Sequence, residues 1–127
     1  MMKKLDKLDY VKQAEEIINT GIKRNKFGKI ELTTNKIRNM LTLVNELYNM
    51  VNGVKSDKLT ENVQSHIQYV KMRLVYEAGR DAACKDFIIK SDILNHLDLI
   101  GDSKEKLLIV CHYMEALVAY HRFEDVK

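Results

Sequence analysis

Proline is missing altogether from this chain, and glycine is held to five residues out of 127. At an average usage of about 5%, roughly six prolines are expected. Their absence removes the strongest helix breaker and points to an all-helical protein. None of the five glycines stands between a strand and a helix start, the setting a phosphate-cradling loop requires, which argues against nucleotide hydrolysis. No window approaches the run of about 18 apolar residues that spans a membrane. The basic start, Met1 to Lys12, has no apolar stretch of signal-peptide length. A soluble, cytoplasmic protein with no membrane partner is expected. The two cysteines, Cys84 and Cys111, lie in apolar helical sequence without CxxC spacing, which reads as buried free thiols in a reducing cytosol.

Catalytic and metal chemistry is equally sparse. There is no HExxH, and a di-metal bundle site needs Glu-x-x-His pairs plus facing carboxylates. The histidines are His66, His96, His112 and His121, and His112 shares a helical face with Glu115 at i+3. Neither cysteine sits in a helix-start or cationic setting that activates a thiol, and adjacent Cys111 and His112 point about 100° apart on a helix. No metal, no cofactor and no enzymatic activity are expected.

What is present is enough for one core. The chain is 46% hydrophobic and 31% charged, of a length that makes one domain, residues 1–127. Such a chain buries about two-thirds of its unfolded surface. Lys plus Arg, 21, against Asp plus Glu, 18, leaves +3. That total identifies no partner, but from Gly21 to Met40 six cations (Lys23, Arg24, Lys26, Lys29, Lys36, Arg38) face one anion, Glu31, and create a local positive field.

Helical periodicity divides the chain into five segments, predicting an all-α, compact five-helix bundle. The first runs from about Asp9 to Arg24 with an apolar stripe of Val11, Ala14, Ile17, Ile18 and Ile22. The second begins at Thr33 or Thr34 and carries Ile37, Leu41, Val44, Tyr48 and Val51, widened by Met40, Leu43, Leu47 and Met50, which makes it the expected centre. The third, about Lys58 to Ala78, buries Val63, Ile67, Val70 and Leu74. The fourth, about Arg80 to Leu99, buries Ala83, Phe87, Leu94 and Leu97 and ends at Gly101. Asp102 with Glu105 resembles a capping box that opens the fifth, which runs to about Arg122 with Leu107, Cys111, Met114, Leu117 and Val118 inside.

Two polar constellations stand out. On the second helix Arg38, Thr42, Asn45, Asn49 and Asn52 form a strip, and Lys36 and Arg38 lie in a first turn where the helix dipole favours anions. That turn reads either as a phosphate site or as a solvated face with a positive edge. On the third helix Arg73, Glu77 and Arg80 share a face, which suits an ion-paired surface and equally suits two Arg forks gripping successive phosphates. Tyr69 and Tyr76 beside them read as core residues with a wet hydroxyl rather than as base-stacking platforms.

Three segments in register carry a resemblance. Leu32-Thr33-Thr34-Asn35-Lys36-Ile37-Arg38-Asn39, Gln68-Tyr69-Val70-Lys71-Met72-Arg73-Leu74-Val75-Tyr76-Glu77-Ala78-Gly79-Arg80-Asp81 and Cys111-His112-Tyr113-Met114-Glu115-Ala116-Leu117-Val118-Ala119-Tyr120-His121-Arg122-Phe123 are similar to the small helical subunit of the type III-A CRISPR (Csm) effector complex. The similarity covers about Tyr10 to Phe123, with Asn35 in place of an expected Ser and Glu124-Asp125-Val126-Lys127 in place of a short Gly-rich tail. The tail difference leaves the RNA face untouched and bears on tail-mediated subunit contacts.

The resemblance implies a non-enzymatic subunit that stacks in a few copies as a filament and supports crRNA and target RNA beside the other Csm complex subunits. RNA cleavage then belongs to the backbone subunits, and DNA cleavage and cyclic oligoadenylate synthesis to the large subunit. By motif position the RNA-binding residues are Lys36, Arg38, Arg73 and Arg80, with Lys85 second to them. Two other readings compete. A chorismate-mutase-like helical enzyme needs its Arg, Lys and Glu to converge in a closed pocket; a DNA-binding regulator needs a short helix-turn-helix with a cation-rich second helix, which the pattern lacks.

Overall fold

In a computed structural model of the chain, residues 4–125 are described. The helices are α1 (Tyr10–Glu16), α2 (Thr34–Val51), α3 (Glu61–Arg80), α4 (Ala82–Ser91), α5 (Ile93–Asp98) and α6 (Lys104–Asp125), with a π-helical turn, Ile17–Gly21, continuing α1. Among the described residues there is no β-strand, only isolated bridges of Arg24 with Ile30 and Lys58 with Ser103. The chain is therefore the all-α bundle its periodicity predicts.

Side-chain caps start the long helices by taking up amide hydrogens that the first turn leaves unpaired. Thr33 Oγ1 accepts from Lys36 N at 3.3 Å and Thr60 Oγ1 from Val63 N at 3.3 Å. The expected capping box at Asp102 is replaced by Ser103, whose Oγ accepts from Lys106 N at 3.2 Å. The reason is a distant pairing: the Asp102 carbonyl accepts from Leu59 N at 2.8 Å and the Asp57 carbonyl from Lys104 N at 3.0 Å, so the backbone before α6 is held by residues 57–59.

One cluster of buried apolar side chains runs through the bundle. α2 contributes Ile37, Met40, Leu43, Val44, Leu47 and Val51; α3 contributes the four residues its period predicts, Val63, Ile67, Val70 and Leu74. α6 contributes Leu107, Val110, Cys111, Tyr113, Met114 and Leu117. Each fully buried aliphatic side chain stabilises the fold by roughly 1.5–3 kcal/mol. α2 packs on both α3 and α6, and α6 also receives α1, so the centre is the α2–α6 pair rather than α2 alone.

Three segments depart from regular expectation. α1 stops at Glu16, and Ile22 N donates to Ile17 O at 3.0 Å, an i→i+5 bond that widens the last turn and buries Ile18. Val11, expected inside, is exposed. The segment read as one helix from Arg80 to Leu99 is broken twice: Asp81 separates it from α3, and Asp92, at φ +59°, separates α4 from α5. The Ser91 carbonyl at this second break is buried and is satisfied by the Tyr113 hydroxyl, which donates to it at 2.7 Å. Met50 is exposed, whereas Leu41, Tyr48, Ala83, Leu94 and Val118 are half-buried at the margins of the core.

Candidate nucleic-acid interface

The capping of α4 organises a charged groove between α2, α3 and α4. Asp81 Oδ1 accepts from Ala83 N at 2.9 Å and Cys84 N at 3.0 Å, and its Oδ2 forms an ion pair with Lys36 from the first turn of α2. The pair holds the Asp81 carboxyl below the usual carboxylate range, and the same hydrogen bond raises Lys36. A groove of about 370 Å³ lies here, lined by Lys36, Asn39, Glu77, Arg80 and Asp81 over Met40 and Cys84. Arg80 Nη1 lies 3.4 Å from Glu77 Oε2. Two cations and two carboxylates thus cancel, so this groove is not the closed dianion receptor a chorismate-mutase-like site requires.

Along α3 the face is open. Arg73 Nη1 donates to the Tyr69 hydroxyl at 3.1 Å with its guanidinium 5.9 Å from that ring, and the hydrogen bond raises the Arg73 pKa. Arg80 stands 5.4 Å from the Tyr76 ring centroid, its Nη1 donating to Glu77 rather than to the tyrosine hydroxyl. The expectation that Tyr69 and Tyr76 belong to the core is incorrect: they are 43% and 57% exposed, with Met72 and Val75 exposed beside them. Their rings stack against guanidiniums instead, a contact worth roughly 0.5–1 kcal/mol at exposed sites. Each arginine is thereby held in a defined direction.

The four basic residues singled out by motif position do not form one cluster. Lys36 and Arg80 line the same groove, and Arg73 lies about 10 Å along α3 from Arg80 by helical rise. Arg38 is two residues from Lys36 and so faces another side of α2, exposed, with Thr42 Oγ1 donating to its carbonyl at 3.0 Å. That bond occupies the only hydrogen of the Thr42 hydroxyl. Lys85 is exposed on α4. Of the cations in the Gly21–Met40 segment, Arg24 is structural: its guanidinium donates to Gly28 O at 2.9 Å and Ile18 O at 3.0 Å, and meets Glu124 at 3.4 Å. Thr34 Oγ1 donates to Asp125 at 3.1 Å, so Asp125 ties the end of α6 to the start of α2 while Glu124 ties it to Arg24; Val126 and Lys127 lie outside the described residues.

The sequence reading missed Asp81, although an Asp directly before Ala82-Ala83-Cys84 is an N-cap signal. The histidines are spread: His66 lies 2.8 Å from Glu46, His121 is buried with Nε2 2.7 Å from the Leu32 carbonyl, and His96 is buried edge-on to Tyr113. Among the described residues no group of three or more potential ligands is arranged for a metal ion. Both cysteines are free and buried, with burial pushing Cys84 up to about 11 and Cys111 up to about 12. Among the described residues no helix is long and apolar enough to cross a membrane.

Fold and geometry together define a small all-α bundle whose cations stand on open helix faces. The Csm2 Type III-A family matches residues 5–127. A Streptococcus thermophilus protein named CRISPR system Cms protein Csm2 is 44% identical over 119 residues, 94% of this chain and 93% of that protein. Its namesake from Mycobacterium tuberculosis (strain CDC 1551 / Oshkosh) is 40% identical over 119 residues, 94% of either chain. One from Enterococcus italicus is 38% identical over 94 residues, covering 72% and 67%. The chain belongs to the Csm2 family of type III-A CRISPR systems.

Proposed function

We propose that this chain is the non-catalytic small subunit of a type III-A CRISPR RNA-guided effector complex, supporting crRNA and captured target RNA through sequence-independent backbone contacts. The observation that carries the reading is the pair of guanidiniums on one face of α3, each laid on a tyrosine ring and presented to solvent, with Lys36 beside the second. Planar, preoriented Arg forks match phosphate oxygens. A subunit that must accept any guide has to read backbone and duplex shape, because the A-form major groove is too narrow for side chains. Arg38 serves from a separate face of α2. Copies of the subunit stack side by side with the other Csm subunits, so weak, salt-sensitive contacts per copy add up along the RNA. The protein works in the cytoplasm.

The test is binding of guide and target RNA by the assembled complex carrying Arg73→Gln and Arg80→Gln together. A marked loss of affinity with a shallower salt dependence is expected. Unchanged affinity and salt dependence would refute the assignment of these residues.

A further inference from the structure

Residues 23–31 form a small hairpin that the α3 face does not explain. Asn25 N donates to Lys29 O at 2.8 Å and Glu31 N to Lys23 O at 3.1 Å, while Gly28 turns the chain at φ +80°. The Asn25 side chain accepts from Phe27 N at 2.8 Å and Lys29 N at 3.1 Å. From below, Arg24 grips the Gly28 and Ile18 carbonyls, and Asp86 accepts from Lys23 N at 2.7 Å. So many bonds hold the tip in one shape, yet its Phe27 is 80% exposed. Lys26 Nζ stands 5.2 Å from the ring centroid. Lys23 is paired with Glu31 and Arg24 with Glu124, whereas neither Lys26 nor Lys29 has a carboxylate partner among the described residues.

We infer that this hairpin is a second nucleic-acid contact, at which Phe27 stacks on an unpaired base of single-stranded RNA while Lys26 and Lys29 hold the flanking phosphates; it rests on the RNA-supporting reading above. An apolar protein pocket would cover a single ring and strand two ammonium groups, because Ile30, the other apolar residue of the hairpin tip, packs on the core. A nucleotide satisfies all three groups at once: its base offers a face to the ring, and its phosphates offer charge to the lysines. The base must be unpaired, since a base inside a duplex exposes no face. Preorganisation of the hairpin keeps the ordering cost of such a contact low.

The chain has no tryptophan, so Phe27→Trp introduces a single fluorophore at the contact. The full chain carrying it is titrated to millimolar concentration with a uridine decamer, with the same decamer lacking bases, and with duplex RNA. Quenching of the indole by the uridine decamer, absent with the abasic one and weak with the duplex, is expected, together with about a tenfold affinity loss for Phe27→Ala on the uridine decamer. Lys26→Ala with Lys29→Ala should flatten the salt dependence without removing quenching. No quenching at any concentration, or equal quenching by the abasic decamer, overturns the inference. So does a Phe27→Ala chain that binds the decamer normally but is lost from the assembled complex, which would make the hairpin a protein contact. If the α3 variants lose RNA while the indole stays unquenched, the proposed function stands and the hairpin assignment falls; quenching with inert α3 variants gives the reverse.

Discussion

Asp81 binds Lys36, 45 residues away in sequence, with one carboxylate oxygen and the start of α4 with the other, joining the first turn of α2 to that of α4. This pairing offsets the charge of one of the proposed RNA-binding cations, Lys36, which stays exposed. Asp81→Asn keeps an oxygen for the amides of Ala83 and Cys84 but gives up the ionic hold on Lys36. RNA affinity should rise a few-fold and the salt dependence should steepen by up to about one unit of log–log slope, read by filter binding at several salt concentrations. Asp81→Ala loses the cap as well and should melt at a lower temperature.

The two-sided placement of the basic residues predicts additivity. Arg38→Gln and the Arg73→Gln, Arg80→Gln pair sit on different faces, so their effects on RNA binding by the assembled complex should add in free energy. Lys36 and Arg80, by contrast, line one groove and should be coupled. A double-mutant cycle in which Arg38 couples to Arg80 as strongly as Lys36 does would contradict this geometry.

Tyr113→Phe tests the break between α4 and α5. It removes the hydroxyl that donates to the buried Ser91 carbonyl and leaves that oxygen unsatisfied. A stability loss of about 1–2 kcal/mol is expected in urea denaturation, with an unchanged slope.

His96 gives the fold an acid-side dependence. Burial lowers its pKa below the ordinary 6.5, against a smaller opposing effect of Asp92. Above that value both folded and unfolded chains hold it neutral; below it the unfolded chain gains a proton that the folded one resists. Stability should therefore be constant near pH 7.5 and fall as the pH drops from about 6.5 towards 5.5. A His96→Gln variant should show a flatter profile over that window in thermal melts.

Cys84 and Cys111 should be inert in the native chain. Both are buried, with thiols raised to about 11 and about 12, so iodoacetamide at pH 8 should label neither until denaturant is added. Rapid native labelling of Cys84, which floors the Lys36–Asp81 groove, would show that the groove opens.

The helical character, the buried faces of α2 and α3, a cap at Thr33 or Thr34 and, through three segments in register, the family are legible in the sequence alone. These rest on local information: a period of 3.6 residues marks which side chains share a face, and a threonine before an apolar stripe meets the amides of its own first turn. Tertiary structure decided the rest. Ser103 caps α6 because residues 57–59 hold the backbone of Asp102; α4 and α5 part at Asp92, where Tyr113 reaches the freed carbonyl from another helix. Arg24 belongs to the scaffold because Gly28, Ile18 and Glu124 surround it, and Lys36 is engaged because Asp81 folds against it. Tyr69 and Tyr76 face outward because four other positions of α3 already fill the core. For Ser103, Asp92, Arg24 and Lys36 a deciding partner is distant in sequence or on another helix, and no local pattern records which distant residues folding brings together.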